Sequence, residues 1–324
     1  MGRLLTILAD HWPEASALGQ KVAAFSGNLG PTGHSIPLRI AGGLHALVLS
    51  GAASDLARHY PPHETNDTDL RNAVLTALKS REAFLLDWTD SPPQTNEVRR
   101  SAALIAGAHA ALQHFGLPIH LSELGASGGL NMMWDHYALD IGDTRFGPDM
   151  PAVTFTPDWD GPLPPAARPQ IAARAGVDLN PLDPTHPDHL LRMTAYLWAD
   201  QPHRLSMTRA AASIATTPPA QGDAIDWLAP RLASAPQGHL HLIQNTVAWQ
   251  YFPAEVQARG TALIEAAGAQ ATPNRPLAWL SMEANADTAT QGGAALTLRL
   301  WPGDVTLPLG RVDFHGRWIR WNAT

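Results

Sequence analysis

The feature that most constrains this 324-residue chain is the passage from IHLSEL (119–124) into Gly125-Ala126-Ser127-Gly128-Gly129. A short apolar run closes on an acid, turns through small residues, and opens into the amphipathic stretch Leu130 to Tyr137. That order spells strand, loop, helix. Glycine lets backbone approach a ligand closely, a helix start offers N–H groups, and a carboxylate at the strand end can accept from a ribose hydroxyl or an ammonium. The loop therefore predicts a nucleotide pocket in an α/β domain, with Glu123, Gly125, Ala126, Ser127 and Gly129 as candidate contacts. It carries no P-loop lysine, so a cationic ligand suits the carboxylate better than a phosphate would. The same glycines also suit a plain packing turn.

Downstream, strand and helix candidates alternate. Strands are predicted at 173–179, 220–225, 239–245 and 276–283, and helices near 187–216, near 226–235 and through Val256, Leu263 and Ile264. With 119–124 that makes five strands whose helical crossovers require a parallel sheet. The tail segments 296–301, 305–314 and 317–321, with a tight turn at His315-Gly316, predict an antiparallel edge. A stretch rich in Pro, Gly and Asp near 142–170 reads as a hairpin insertion outside the main sheet.

Upstream, Leu38, Leu44, Leu47 and Val48, then Leu70, Val74 and Leu78, fall at helical spacing. The clearest helix follows Ser91-Pro92-Pro93-Gln94, a capping-box pattern, and ends at Gly116 and Pro118. The expected organisation is a helical N-terminal domain over 1–117 and an α/β domain over 118–324.

Net charge is −7 and no basic run accompanies aromatic residues, which argues against nucleic acid and anionic membrane as partners. The absence of cysteine removes disulfides, thiolate zinc sites and thiol catalysis, and fits a reducing compartment; the cytoplasm is the expected location. The apolar run in MGRLLTILADHW is too short for a signal-peptide core or a membrane span. The 15 histidines show no H-E-x-x-H; His239 with His241, and His186 with His189 near Asp183 and Asp188, each lack a third ligand, so no metal site is expected.

Further polar residues close the later strands: Asp178 in GVDLNP (176–181), Asp223 in QGDA (221–224), and Gln244-Asn245. Each acid by itself is more often a helix cap or turn residue. Taken in order, these motifs make 118–324 resemble the class I, Rossmann-like methyltransferases that use S-adenosylmethionine. The resemblance implies that Asp178 accepts from the ribose diol and that Asp223 receives the adenine amino group while the Ala224 N–H meets the ring. It also implies that Gln244 and Asn245 lie beneath the methyl-donating sulfur, with Trp249 and Tyr251 facing the pocket. Two departures stand out. Ser127 occupies the place of the central glycine, and Glu123 and Asp178 are separated by far more than the ~20 residues usual between loop and ribose acid in related folds.

More narrowly, QTNEVRR (94–100), LSELGASGGLNMMWDHY (121–137), RAGVDLNPLD (174–183), LWADQPHR (197–204) and DFHGRWIRW (313–321) resemble an uncharacterised bacterial family, domain of unknown function 2332. The expected activity is methyl transfer from S-adenosylmethionine to a small-molecule acceptor, with no catalytic base identifiable. The helical domain is expected to cover the C-terminal sheet edge, where Gln94, Asn96 and Glu97 either contact the acceptor or cap their own helix. No Asn-Pro-Pro-Tyr closes the fourth strand, which argues against nucleobase-amine methylation. Two alternatives stand: a degenerate methyltransferase fold that binds without catalysis, and a G-x-S-x-G hydrolase using Ser127, a later Asp and His315.

Overall fold

A computed structural model describes residues 1–30 and 33–322. The chain forms two compact units, Met1–Thr95 with Thr185–Arg209, and Asn96–Pro184 with Ala210–Thr324.

The first unit is helical as its spacing predicts, with α1 (Gly2–Asp10), α2 (Ala17–Ala23), α3 (Ile36–Leu49), α4 (Ser54–His59), α5 (Asp67–Ser80) and α6 (Glu82–Trp88). Leu4, Leu44, Leu47, Leu70, Val74 and Leu85 form its core. Asn66 starts α5 by accepting the Asp69 N–H at 2.9 Å, so a polar side chain satisfies an amide that the helix cannot.

The division between units falls after Thr95 and not at 117. The helix α7 (Ser101–Phe115) belongs to the second unit, where a Cβ on its Gly107 would stand 2.5 Å from Leu280 Cδ1. Glycine inside a helix costs about 1 kcal/mol relative to alanine, and here it permits that close approach. The helix also begins later than its capping-box pattern implies. Pro92 and Pro93 disfavour helical backbone before them, residues 91–97 are non-helical, and Glu97 instead accepts the Arg99 N–H at 3.4 Å in a short 3-10 turn over Val98–Arg100.

The main sheet of the second unit is large and mostly parallel. Its parallel strands are β1 (Ile119–Leu124), β6 (Ile171–Asp178), β7 (Ala220–Gln221), β8 (Leu240–Thr246) and β9 (Leu277–Glu283), which lie side by side as β7-β6-β1-β8-β9. Every residue of β8 is buried, as expected of a central strand covered on both faces. The tail adds β10 (Ala294–Trp301), β11 (Val305–Val312) and β12 (Trp318–Trp321), which run antiparallel in the order β9-β10-β11-β12, the antiparallel edge that the sequence predicts.

Between β1 and β6 the expected helix at 130–137 is a 3-10 turn over Leu130–His136, after which the chain enters β2 (Tyr137–Ile141). With β3 (Thr144–Phe146) and β4 (Val153–Phe155), β2 builds a separate three-stranded sheet. Residues 142–170 are not wholly an insertion outside the main sheet. Strand β5 (Asp158–Asp160) joins it, pairing parallel with β12 and satisfying backbone groups that an edge would leave open.

Helices α8 (Pro187–Ala195) and α9 (Pro202–Ala212) connect β6 to β7, and α10 (Ala224–Ala233) and α11 (Ala254–Ala269) connect β7 to β8 and β8 to β9. The single-turn α12 (Thr288–Gln291) precedes β10. Among the described residues, no helix is long and apolar enough to cross a membrane.

Candidate functional site

Strand order reverses at β1: β6 lies on one side of it and β8 on the other. Ligands of open α/β sheets bind beyond the carboxyl ends of the strands at such a reversal. Glu123 sits at this point, beside Gln244 in the register of β1 and β8.

Glu123 is buried, and its Oε2 has no hydrogen-bond partner among the described residues. Desolvation pushes its carboxyl up to about 8. The Gln244 side chain and the charge of Arg100 oppose that rise, and the nearby charge of Asp178 adds to it. Arg100 also serves two carbonyls, donating to Phe314 O at 2.9 Å and Thr246 O at 3.2 Å. Gln244 is held from the other side, accepting Trp134 Nε1–H at 3.0 Å and donating to Asn131 O at 3.2 Å.

The loop after β1 is wired to β6 and to the residues before α7. Gly125 and Ala126 both donate to Val177 O, at 2.9 and 3.0 Å, and the Ser127 N–H goes to Asp178 Oδ2 at 2.8 Å. Asn96, which is buried, accepts the amides of Gly128 and Leu130 at 3.2 and 3.0 Å. The Gly129 N–H turns back to Ala126 O at 2.7 Å. All five amides from Gly125 to Gly129 thus have partners within the protein.

Two residues with side chains occupy left-handed backbone here, Ser127 at φ 53° and Val247 at φ 52°. For a β-branched residue this conformation is a marked outlier. Strain of this kind, of order 1–3 kcal/mol, persists only where surroundings over-determine it, and it clusters at functional sites. Val247 is held by its N–H to Met282 O at 2.8 Å, and Ala248 lies against Gly125, where an added Cβ would meet the Ala248 Cβ at 2.4 Å.

Five of the residues singled out from sequence therefore meet in one place: Glu123, Ser127, Asp178, Gln244 and Asn96. Others are engaged elsewhere. Asn245 follows Gln244 and so points to the opposite face of β8, where it donates to Ser281 Oγ at 3.1 Å and Glu283 Oε1 at 2.8 Å and accepts Trp279 Nε1–H at 2.7 Å. Asp223 caps α10, accepting the amides of Ile225 and Asp226 at 2.9 and 3.0 Å, and it pairs with Arg259 at 2.8 Å. Those contacts hold its carboxyl below the usual range. Ala224 is the buried first residue of that helix.

Trp249 packs on Trp279 at a ring separation of 5.0 Å, whereas Tyr251 is 74% exposed. Glu97 is buried beside Arg99 and His315, at 3.4 Å from each, and Gln94 belongs to the helical unit. Among the described residues Ser127 Oγ is buried without a hydrogen-bond partner, so no imidazole of theirs stands at bonding distance from it, and the His315 ring lies against Glu97. Among the described residues no three His, Cys, Asp or Glu side chains group as a metal site would require.

Glu283 escaped sequence reasoning. It closes β9 much as Glu123 stands one residue from the end of β1, and that parallel was the available signal. Its buried carboxylate accepts Asn245 Nδ2–H at 2.8 Å and the amides of Ala248, Trp249 and Gln250 at 3.0, 3.0 and 3.3 Å. It therefore anchors the segment that carries Val247 and Ala248. Desolvation still raises its pKa, against the pull of these four donors.

A family described as an uncharacterized protein conserved in bacteria, DUF2332, matches residues 1–321. The chain belongs to the DUF2332 family. No curated protein and no solved structure matches this DUF2332 member. The match covers both compact units, so the helical unit and the sheet unit are parts of one family architecture.

Proposed function

We propose that this protein binds S-adenosylmethionine on a Rossmann-like methyltransferase scaffold and transfers a methyl group to a small acceptor. The observation that carries the reading is the bare Glu123 Oε2, buried at the carboxyl end of the central strand. A buried carboxylate oxygen without a donor is costly, which keeps the group protonated in the free protein, and an ammonium group is the natural complement to its ionised form. The α-amino group of adenosylmethionine is such a group. The strand order β7-β6-β1-β8-β9 supports the reading, since it puts Glu123 at the reversal, and Asp178 closes the neighbouring strand where a ribose-binding acid is expected.

The sulfonium supplies an already activated methyl group, so the demands on the protein are alignment and exclusion of water. Buried Gln244, Asn131 and Trp134 fix the wall beside Glu123 by mutual hydrogen bonds and keep it preorganised.

One observation favours a second reading, a binding module that does not turn over. The loop amides that would meet a ligand are bonded within the protein, and the Ala248 methyl already lies against Gly125. Titration of adenosylhomocysteine into wild type and Asp178→Ala tests the pocket, with saturable binding expected only in the wild type. Adenosylhomocysteine released from adenosylmethionine across a panel of small acceptors then separates enzyme from binding module.

A further inference from the structure

A cavity of about 400 Å³ opens at the opposite edge of the sheet, where α10 and α11 meet the starts of β8 and β9. Leu232, Leu263, Ala267, Ala271 and Leu277 make most of its wall apolar. Its polar lining is His241, Gln270 and Arg275, and no carboxylate lies among the described lining residues. Arg275 donates to Gln270 O at 3.3 Å and pairs with no acid among the described residues. The cavity thus joins an apolar body to one uncompensated cation.

The His241 ring adds a second polar feature. Ser122 Oγ accepts Arg231 Nε–H at 2.9 Å and lies 2.8 Å from His241 Nε2. Serine offers one proton and two lone pairs, so the imidazole tautomer sets the direction of that bond. The ring's Nδ1 is buried without a partner among the described residues. Burial holds the ring's pKa down to about 3, so the imidazole stays neutral and the positive charge at the cavity belongs to Arg275. The two residues are neighbours, because the His241 N–H bonds Pro276 O at 3.0 Å.

We infer that this cavity is a binding site for a small monocarboxylate with an unbranched apolar body, the carboxylate held by Arg275 and the chain lying along the leucines and alanines of α10 and α11. Charge complementarity selects the head group, since the Arg275 cation is present and acid is absent among the described lining residues. The volume falls in the range of small-ligand sites, about 300–1,000 Å³. The inference is independent of the Glu123 site, which lies at the other ends of the same strands.

Octanoate is the probe, with 1-octanol as the uncharged control, titrated into the full chain by calorimetry. Saturable one-to-one octanoate binding is expected, with 1-octanol weaker by roughly tenfold, the loss of one charged hydrogen bond. Arg275→Gln should weaken octanoate to the level of the alcohol, and Ala267→Phe should abolish both by filling the cavity. Arg275 is only half-buried, so its variant keeps the test decisive even if Ala267→Phe fails to fold. Absence of saturable octanoate binding to the wild type overturns the inference. So does equal binding of octanoate and octanol that Arg275→Gln leaves unchanged.

Discussion

Asp178 receives the backbone N–H of Ser127 on one carboxylate oxygen at 2.8 Å and that of Asn180 on the other at 2.9 Å. Residues 51 positions apart are thereby locked together, and the serine is held in a conformation that glycine would adopt more readily. The acid read from sequence as a ligand contact is thus also a brace for the loop that would surround that ligand.

Val247 stores strain that glycine would release. Its side chain is only partly buried, so Val247→Gly forfeits little packing. Relief of about 1–3 kcal/mol of left-handed strain should exceed the ~0.5–1 kcal/mol entropic cost of glycine. Chemical denaturation should show the variant more stable by about 1 kcal/mol. A loss of stability would mean that Val247 is not strained.

Glu123 makes stability depend on pH with a definite sign. Its folded-state pKa of about 8 lies above the ordinary 4.5, so the native protein holds a proton that the unfolded chain has released between those values. Stability from this group is therefore full below about 4.5 and is lost as pH rises towards 8. Glu123→Gln, which cannot ionise, should be the more stable protein at pH 8, and the gap should close towards pH 5. Parallel stability curves for the two proteins across that window would contradict the assignment.

Glu283→Ala leaves three backbone amides and one side-chain amide without their acceptor in a buried place. A loss of about 3 kcal/mol or more is expected in urea unfolding. Glu283→Gln, which keeps one carbonyl oxygen, should lose about half as much.

Asp223→Ala removes the cap of α10 and should cost about 1 kcal/mol. Arg259→Ala removes only a half-exposed ion pair and should cost less. Thermal unfolding of both variants checks the order.

The sheet was legible because its strands are buried in ways that leave a pattern. β8 and β9 are nearly continuous apolar runs, and β10 alternates, with the predicted bounds within two residues of those observed for all three. Glu123 and Asp178 were legible as acids that end strands.

What escaped depends on partners distant along the chain. Nothing local in 185–209 says that it packs with the helices of residues 1–95, and nothing local in α7 says that its glycine lies against Leu280. Sequence sets Asn245 beside Gln244, although strand alternation sends the two side chains to opposite faces. Asp223 illustrates the competition between readings: the same aspartate after a strand serves a ligand or caps the next helix, and here its carboxylate is engaged as a cap.

Calorimetric titration of adenosylhomocysteine at pH 7, in two buffers of different ionisation enthalpy, tests the central claim most directly. If its ammonium meets Glu123, binding must ionise a carboxyl that is protonated in the free protein. The wild type should then release close to one proton per ligand bound, and Glu123→Gln should bind at least roughly tenfold more weakly and release none. Absence of saturable binding to the wild type, or equal affinity and equal proton release in both proteins, would contradict the account.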